Sequence, residues 1–168
     1  MAAFNLATIG KFKNLKMRKP AIILFFLAMI LTVQGQTTNP VEWQFSAKKI
    51  ADKTFEIHLT AEVATPWHIY SQHTPEGGPV PTQISFIKNP MITMDGDVKE
   101  TGNLVKKHED VFDVDVHYYD GKVEFIQVVQ LKTNVKTNVS GSVKYMVCND
   151  RECLPPVQKT FTVTLGGK

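Results

Sequence analysis

Cysteine is scarce in this chain: Cys148 and Cys153 are the only two among 168 residues. Small secreted domains that depend on disulfides in place of a core carry many more cysteines, so that class of protein is excluded. The two cysteines are separated by only four residues, Asn149 to Glu152. A pair this close, in a chain with no other sulfhydryl groups, is the main candidate for chemistry.

Helical patterns and common catalytic motifs are also missing. After residue 36, no segment repeats apolar residues with the 3.6-residue period of an amphipathic helix. There is no Gly-rich phosphate loop, no nucleophile-elbow serine and no His-Glu zinc helix, which argues against several large enzyme classes. Metal-ligand spacing is likewise lacking among the scattered histidines, which are His58, His68, His73, His108 and His117.

No apolar run is long enough to span a bilayer. The longest, residues 21–33, has 13 residues, whereas a spanning helix needs about 20. Basic residues precede it and small residues follow it at Gly35, which is typical of a secretory signal peptide. We therefore expect residues 1–36 to be a cleaved signal peptide that exports the protein to the periplasm, with Met17 as an alternative start. The basic residues are Lys11, Lys13, Lys16, Arg18 and Lys19.

The mature domain has little net charge. Removing residues 1–36 takes away five basic residues and no acidic ones, so 14 basic and 16 acidic residues remain and the formal charge changes from +3 to −2. A near-neutral domain gives no reason to expect nucleic acid or an anionic membrane surface as a partner. We expect no insertion of the mature domain into a membrane.

What the sequence does contain is strand-like alternation. Residues 54–64 alternate apolar and polar side chains, as a strand with one buried face does. Residues 112–118 and 123–131 predict two more strands, and Asp120-Gly121 between them predicts a tight hairpin turn. The charged residues 106–110 are interpreted as a loop. Residues 37–168 are thus predicted to form one all-β domain, a β-sandwich of the immunoglobulin-like class.

Alternating segments at residues 142–147 and 160–165 place both cysteines in a short connection between two strands. Three interpretations of the pair remain open. A structural disulfide would close a ring of about six residues and gain only about 2 kcal/mol of stability. A redox dithiol needs two close thiols exposed to a partner. A soft-metal site would combine Cys148 and Cys153 with Met146 and a histidine.

Three segments resemble a known family. The segment around the cysteines is similar to the signature of the amino-terminal periplasmic domain of the thiol:disulfide interchange protein DsbD, the disulfide bond corrector family, and two others fit less specifically. The likeness extends over most of residues 41–165. The three segments are Tyr145-Met146-Val147-Cys148 continuing to Cys153-Leu154-Pro155-Pro156, Pro66-Trp67-His68-Ile69-Tyr70, and His108-Glu109-Asp110-Val111-Phe112.

The resemblance implies a fold, an activity and a set of roles. The fold is an immunoglobulin-like sandwich, and its dithiol passes electrons from a membrane module to thioredoxin-like periplasmic proteins, among them cytochrome c maturation factors. No cofactor and no metal is implied, because the dithiol is the redox group. Cys153 corresponds to the cysteine that forms the mixed disulfide, and Cys148 to the one that resolves it. Phe112, beside Asp110, corresponds to a protective cap.

Two further residues, His68 and Tyr70, correspond to aromatic positions near the dithiol. The chain departs from the best-known member of the family in having one residue fewer between its cysteines. It also lacks the membrane helices of full-length DsbD, so the expected electron donor is a separate membrane electron transporter. We expect a thiol-disulfide oxidoreductase acting as an electron carrier; the alternative is a secreted β-sandwich binding module with a structural disulfide.

Overall fold

The computed structural model describes residues 39–110 and 113–166. All regular secondary structure in these two ranges is β-strand, which confirms the all-β prediction. Within these ranges there is no helix of the length and apolarity needed to cross a membrane. The strands are β1 (Val41–Ala51), β2 (Thr54–Val63), β3 (His68–Tyr70), β4 (Gln83–Phe86), β5 (Ile92–Glu109), β6 (Val114–Leu131), β7 (Thr137–Cys148) and β8 (Cys153–Leu165).

The strands form two antiparallel halves joined by the short strand β3. In one half, β6 pairs with β5 on one side and with β2 on the other, and β1 pairs with β2. In the second half, β7 pairs with β8 and β4. Strand β3 pairs with β6 on one side and with β7 on the other. The sheet is curled, so that side chains of the two halves meet, as Phe45 of β1 and Phe161 of β8 do.

The core between the halves is rich in aromatic side chains. Trp43 of β1 lies 5.9 Å from Phe125 of β6 and 5.3 Å from Tyr145 of β7, measured between ring centroids. Phe45 of β1 stacks on Phe161 of β8 at 5.2 Å. Strands from both halves therefore bury one shared apolar interior, and such aromatic pairs add to the free energy of burial. This interior confirms the predicted sandwich.

The predicted hairpin at Asp120-Gly121 is wrong. Both residues lie inside β6, which continues from Val114 to Leu131. The pairing with β5 shifts between Gly102 and Leu104, so β6 accommodates extra residues as a bulge, and Gly121 has a positive φ of 70°. Glycine adopts this backbone conformation without the steric penalty of a side chain, both in bulges and in hairpin turns. The same residue type therefore serves either structure, and the pairing partners decide between them.

The predicted loop at residues 106–110 is also wrong for most of its length. Strand β5 extends to Glu109, and residues 104–109 pair with residues 114–119 of β6. The turn lies later, where Asp113 has a positive φ of 54° and donates its N–H to the carbonyl of Glu109. A strand at the edge of a sheet can carry charges on its exposed residues, which explains why a charged sequence forms a strand here.

Gly141 of β7 permits the close approach of β4 and β8. A Cβ atom there would lie 2.3 Å from the Ser85 carbonyl oxygen and 2.7 Å from Cζ of Phe161. We predict that Gly141→Ala lowers the free energy of unfolding by about 1–3 kcal/mol, because the added methyl group overpacks the site. Urea denaturation of the oxidised protein measures this. Ser142→Ala, one residue along the same strand, is the control and should change stability by less than about 0.5 kcal/mol. Equal stability of the two variants would contradict the prediction.

Candidate redox site

The two cysteines face each other across the hairpin between β7 and β8. Cys148 is the last residue of β7 and Cys153 the first of β8, and they are register partners with their Cα atoms 4.0 Å apart. Their sulfur atoms form a disulfide bond. The expected position of the pair, in a short connection between two strands, is confirmed. The strand pairing thus places the two sulfur-bearing residues opposite each other.

Asn149 fixes the four-residue turn between the cysteines. Its side-chain Oδ1 accepts hydrogen bonds from the backbone N–H groups of Arg151 at 2.8 Å and of Glu152 at 2.9 Å. Its own backbone N–H donates to the carbonyl of Glu152 at 2.9 Å. An asparagine that bonds the backbone two and three residues ahead preorganises a turn. These bonds involve no sulfur atom, so they do not require the disulfide.

The two cysteines differ in exposure. Cys148 is only 3% exposed and packs against Tyr70 and Val116, with Met146 beside them. Cys153 is exposed to solvent. An incoming disulfide or thiolate can therefore reach the sulfur of Cys153, while that of Cys148 is shielded by its neighbours. This asymmetry gives the two sulfur atoms different accessibility to a protein partner.

Strand β3 brings two aromatic residues to the dithiol. His68 is the register partner of Cys148, and Tyr70 packs directly against that cysteine. Nε2 of His68 is 3.1 Å from the hydroxyl of Tyr70. Tyr118 of β6 completes the group, with its ring centroid 4.3 Å from that of His68. The structure thus places both aromatic residues that the sequence singled out beside the cysteines.

These aromatic groups are uncharged near neutral pH. Burial lowers the pKa of His68, although the carboxylates of Asp120, Asp150 and Glu109 partly oppose the shift. Burial, together with the nearby Glu109 and Tyr118, raises the pKa of Tyr70 to about 12. Because a neutral imidazole carries no positive charge, His68 does not supply one that would favour a cysteine thiolate.

Three hydrogen bonds hold the end of β3 and the two residues that follow it in place. The hydroxyl of Thr82 donates to the carbonyl of Tyr70 at 2.5 Å. The carboxylate of Glu100 on β5 accepts bonds from the Ser71 hydroxyl and from the Gln72 backbone N–H, both at 2.6 Å. Because β3 has only three residues, these contacts add to the few ladder bonds that keep its aromatic side chains beside the dithiol.

A groove of about 400 Å³ opens beside the disulfide. Both cysteines, His68, Tyr70 and Tyr118 line it, and so do the charged residues Lys107, Glu109, Asp150, Arg151 and Glu152. Lys107 and Glu109 belong to the end of β5, and they form an ion pair at 3.6 Å. The groove is therefore bounded on one side by the dithiol hairpin and on the other by the β5–β6 ribbon.

The expected cap residues are only partly located. Phe112 lies outside the described residues, so its role stays a prediction. Asp110 is exposed and follows directly on Glu109 at the end of β5, the strand that lines the groove. In the part of the chain that the structure describes, no group of three or more His, Cys, Asp or Glu side chains could hold a metal ion.

Sequence reasoning missed Tyr118 and Asn149 as site residues. Tyr118 belongs to a strand that the alternation predicts, but only the pairing of β6 with β3 brings its ring against that of His68. Asn149 had a readable signal, since an asparagine directly after a strand and before a short turn is a common turn-former. In the structure its side chain accepts two backbone hydrogen bonds from the turn, as that sequence pattern predicts.

Comparison with known proteins points to one family. The model of the family "Thiol:disulfide interchange protein DsbD, N-terminal" matches residues 35–165. No curated protein matches the chain at a significant level. The crystal structure of the reduced DsbD N-terminal domain from Neisseria meningitidis is similar, with 14% identity and a TM-score of 0.50 over 76% of this chain and 87% of that one.

Two further solved structures are similar at slightly lower scores. One is the complex between the DsbD and PilB N-terminal domains from Neisseria meningitidis, with 12% identity, a TM-score of 0.49, and coverage of 76% of this chain and 84% of that one. The other is the N-terminal periplasmic domain of ScsB from Proteus mirabilis, with 16% identity, a TM-score of 0.48, and coverage of 77% and 48%.

The family match covers most of the chain and includes both cysteines and all eight strands. The similarity to the first solved domain confirms the immunoglobulin-like sandwich. From the family match, the chain belongs to the family of the N-terminal domain of the thiol:disulfide interchange protein DsbD.

Proposed function

We propose that this domain carries reducing equivalents between other proteins through reversible opening and closing of the Cys148–Cys153 disulfide. The observation that carries the proposal is the difference between the two sulfur atoms: Cys153 is exposed, whereas Cys148 is 3% exposed. Thiol–disulfide exchange needs one thiol that a partner can reach and a second thiol close enough to resolve the mixed disulfide. The hairpin supplies both in one turn.

In the delivery step, the Cys153 thiolate attacks one sulfur atom of a partner disulfide. A mixed disulfide forms between Cys153 and the partner, and the partner's other sulfur leaves as a thiolate and takes up a proton. The Cys148 thiolate then attacks Sγ of Cys153 and releases the partner's remaining thiol. Two electrons and two protons pass to the partner, and the Cys148–Cys153 disulfide is restored.

Recharging runs the same chemistry in reverse. A dithiol donor attacks Sγ of Cys153, because this is the sulfur atom that a protein can reach. The donor becomes a disulfide and the domain a dithiol. The proposed donor is a separate membrane electron transporter, and the proposed recipients are thioredoxin-like periplasmic proteins. We assign the domain to the periplasm, with residues 1–36 as a cleaved signal peptide, because of the basic and apolar pattern of that segment.

A purely structural role fits this disulfide less well. Cys148 and Cys153 are already register partners in an antiparallel pair, so their bond joins no distant parts of the chain. The turn between them is closed by the bonds of Asn149. A short ring of this kind stabilises the fold only slightly. A role limited to stability also does not account for the groove beside the disulfide.

Trapping experiments test the roles of the two cysteines. We predict that Cys148→Ser accumulates mixed disulfides with thioredoxin-like proteins, because Cys153 can attack but nothing resolves the intermediate. Cys153→Ser is the matched control and should accumulate few, since Cys148 is buried. Non-reducing gels and mass spectrometry of periplasmic extracts identify the adducts. Equal trapping by the two variants, or trapping by Cys153→Ser alone, would contradict the assignment.

The reduction potential tests whether the disulfide opens under physiological conditions. We expect a value above about −300 mV, the upper limit typical of structural disulfides in secreted proteins. Equilibration of the full chain with glutathione or dithiothreitol buffers, followed by thiol alkylation, gives the potential. A value well below that limit would indicate a permanent disulfide and would favour the binding-module alternative.

Asn149 should influence the same equilibrium. We predict that Asn149→Ala raises the reduction potential by about 10–40 mV, since losing turn hydrogen bonds worth about 0.5–2 kcal/mol leaves the dithiol less preorganised for ring closure. The control is Asn134→Ala, at an exposed position in the connection between β6 and β7. An unchanged potential in Asn149→Ala would show that the ladder of β7 and β8 orders the turn without this side chain.

A further inference from the structure

The groove beside the dithiol has an excess of negative charge. Glu109, Asp150 and Glu152 line it together with Lys107 and Arg151, and Lys107 is already paired with Glu109. Asp120 adds a carboxylate at the edge, because it is the register partner of His68. The described residues around the dithiol therefore present four carboxylates against two cationic side chains.

The charges that act on His68 show the same excess of carboxylates. Burial lowers the pKa of His68; among the charges of the described residues, the carboxylates of Asp120, Asp150 and Glu109 act to raise it, and Lys107 acts to lower it. These three carboxylates come from β6, the dithiol turn and β5, which are separate elements of the fold. The negative potential is thus a property of the whole groove.

Two of the groove's carboxylates, those of Asp150 and Glu152, belong to the turn that precedes Cys153 and line the groove with it. A thiolate forms less readily beside negative charge, and Glu152 is adjacent to Cys153 in the chain. The aromatic side of the groove offers no compensating cation, because burial lowers the pKa of His68 and keeps the imidazole neutral. In the free domain the attacking thiol is therefore bordered by more carboxylates than cationic side chains among the described residues of the groove.

We propose that the groove recognises thioredoxin-like proteins whose disulfide is bordered by lysine or arginine side chains, and that these cations activate Cys153 when the partner docks. This inference rests on the proposed function. Opposite charges around the two disulfides steer the encounter and fix its orientation. Once docked, the partner's cations offset the carboxylates around Cys153, so the thiolate forms where its target is in place. Proteins with acidic surroundings at the disulfide are rejected.

Small disulfides of different charge test the proposal without a known partner. The reduced full-length chain is mixed with cystamine, which is dicationic, with oxidised glutathione, which is anionic, or with neutral 2-hydroxyethyl disulfide. Each second-order rate constant is divided by the rate constant of 2-mercaptoethanol with the same disulfide, which removes differences in intrinsic reactivity. We expect a normalised preference of about tenfold for cystamine over oxidised glutathione at an ionic strength of about 0.01 M.

Salt and charge variants identify the source of the preference. Raising the ionic strength to about 0.5 M should reduce the preference to less than about twofold, because screening shortens the range of the charges. The double variant Asp150→Asn, Glu152→Gln should reduce it similarly at low salt. The matched control Asp52→Asn, Asp97→Asn removes two exposed carboxylates that do not line the groove and should keep the full preference. Circular dichroism verifies that both variants fold.

The outcomes distinguish this inference from the proposed exchange function on which it rests. Reaction with all three disulfides at equal normalised rates, or a preference that persists in the Asp150→Asn, Glu152→Gln variant, would overturn the charge recognition and leave the exchange function standing. Failure of Cys153 to react with any of the three would overturn both. A preference lost in the groove variant and retained in the control supports the proposal.

Discussion

The structure depends above all on the antiparallel register between β7 and β8. This register places Cys148 opposite Cys153, and a shift by one residue would turn one of the two sulfur atoms to the other face of the sheet. The register shifts by one residue after Tyr145, and at the cysteine end it is fixed by Val147, which lies in the core, and its partner Leu154, which packs against the core. The hydrophobic core thus positions a reactive group that lies at its margin.

Strand β3 is the second constraint, and it connects the scaffold to the chemistry. Its three residues pair with β6 on one side and β7 on the other, and the pairing with β7 sets His68 opposite Cys148. Contacts from Glu100 and Thr82 compensate for the few ladder bonds that so short a strand can make.

The surroundings of the two cysteines differ in burial and in charge. The aromatic group around Cys148 shields one sulfur atom, and the open side of the hairpin presents the other. Under the proposed charge recognition, the carboxylates around the groove restrain the exposed thiol until a partner brings the opposite charge. Reactivity then depends on the complex, which suits the proposed role as a carrier of reducing equivalents.

The sequence by itself determined the strand-rich class, the position of the two cysteines in a short connection between two strands, and the likeness of residues around them to a known family. Alternation of period two and a pair of close cysteines are local properties, so they can be read along the chain. The ends of the strands are harder to predict from sequence. Gly121 is compatible with a bulge as well as a turn, and the charged residues before Glu109 are compatible with an edge strand as well as a loop. Only the tertiary structure decided where these strands begin and end. It also decided the contact between Tyr118 and His68, the burial of Cys148 and the excess of carboxylates in the groove. Each of them arises from strands that are distant in sequence and adjacent in space, which no local pattern specifies.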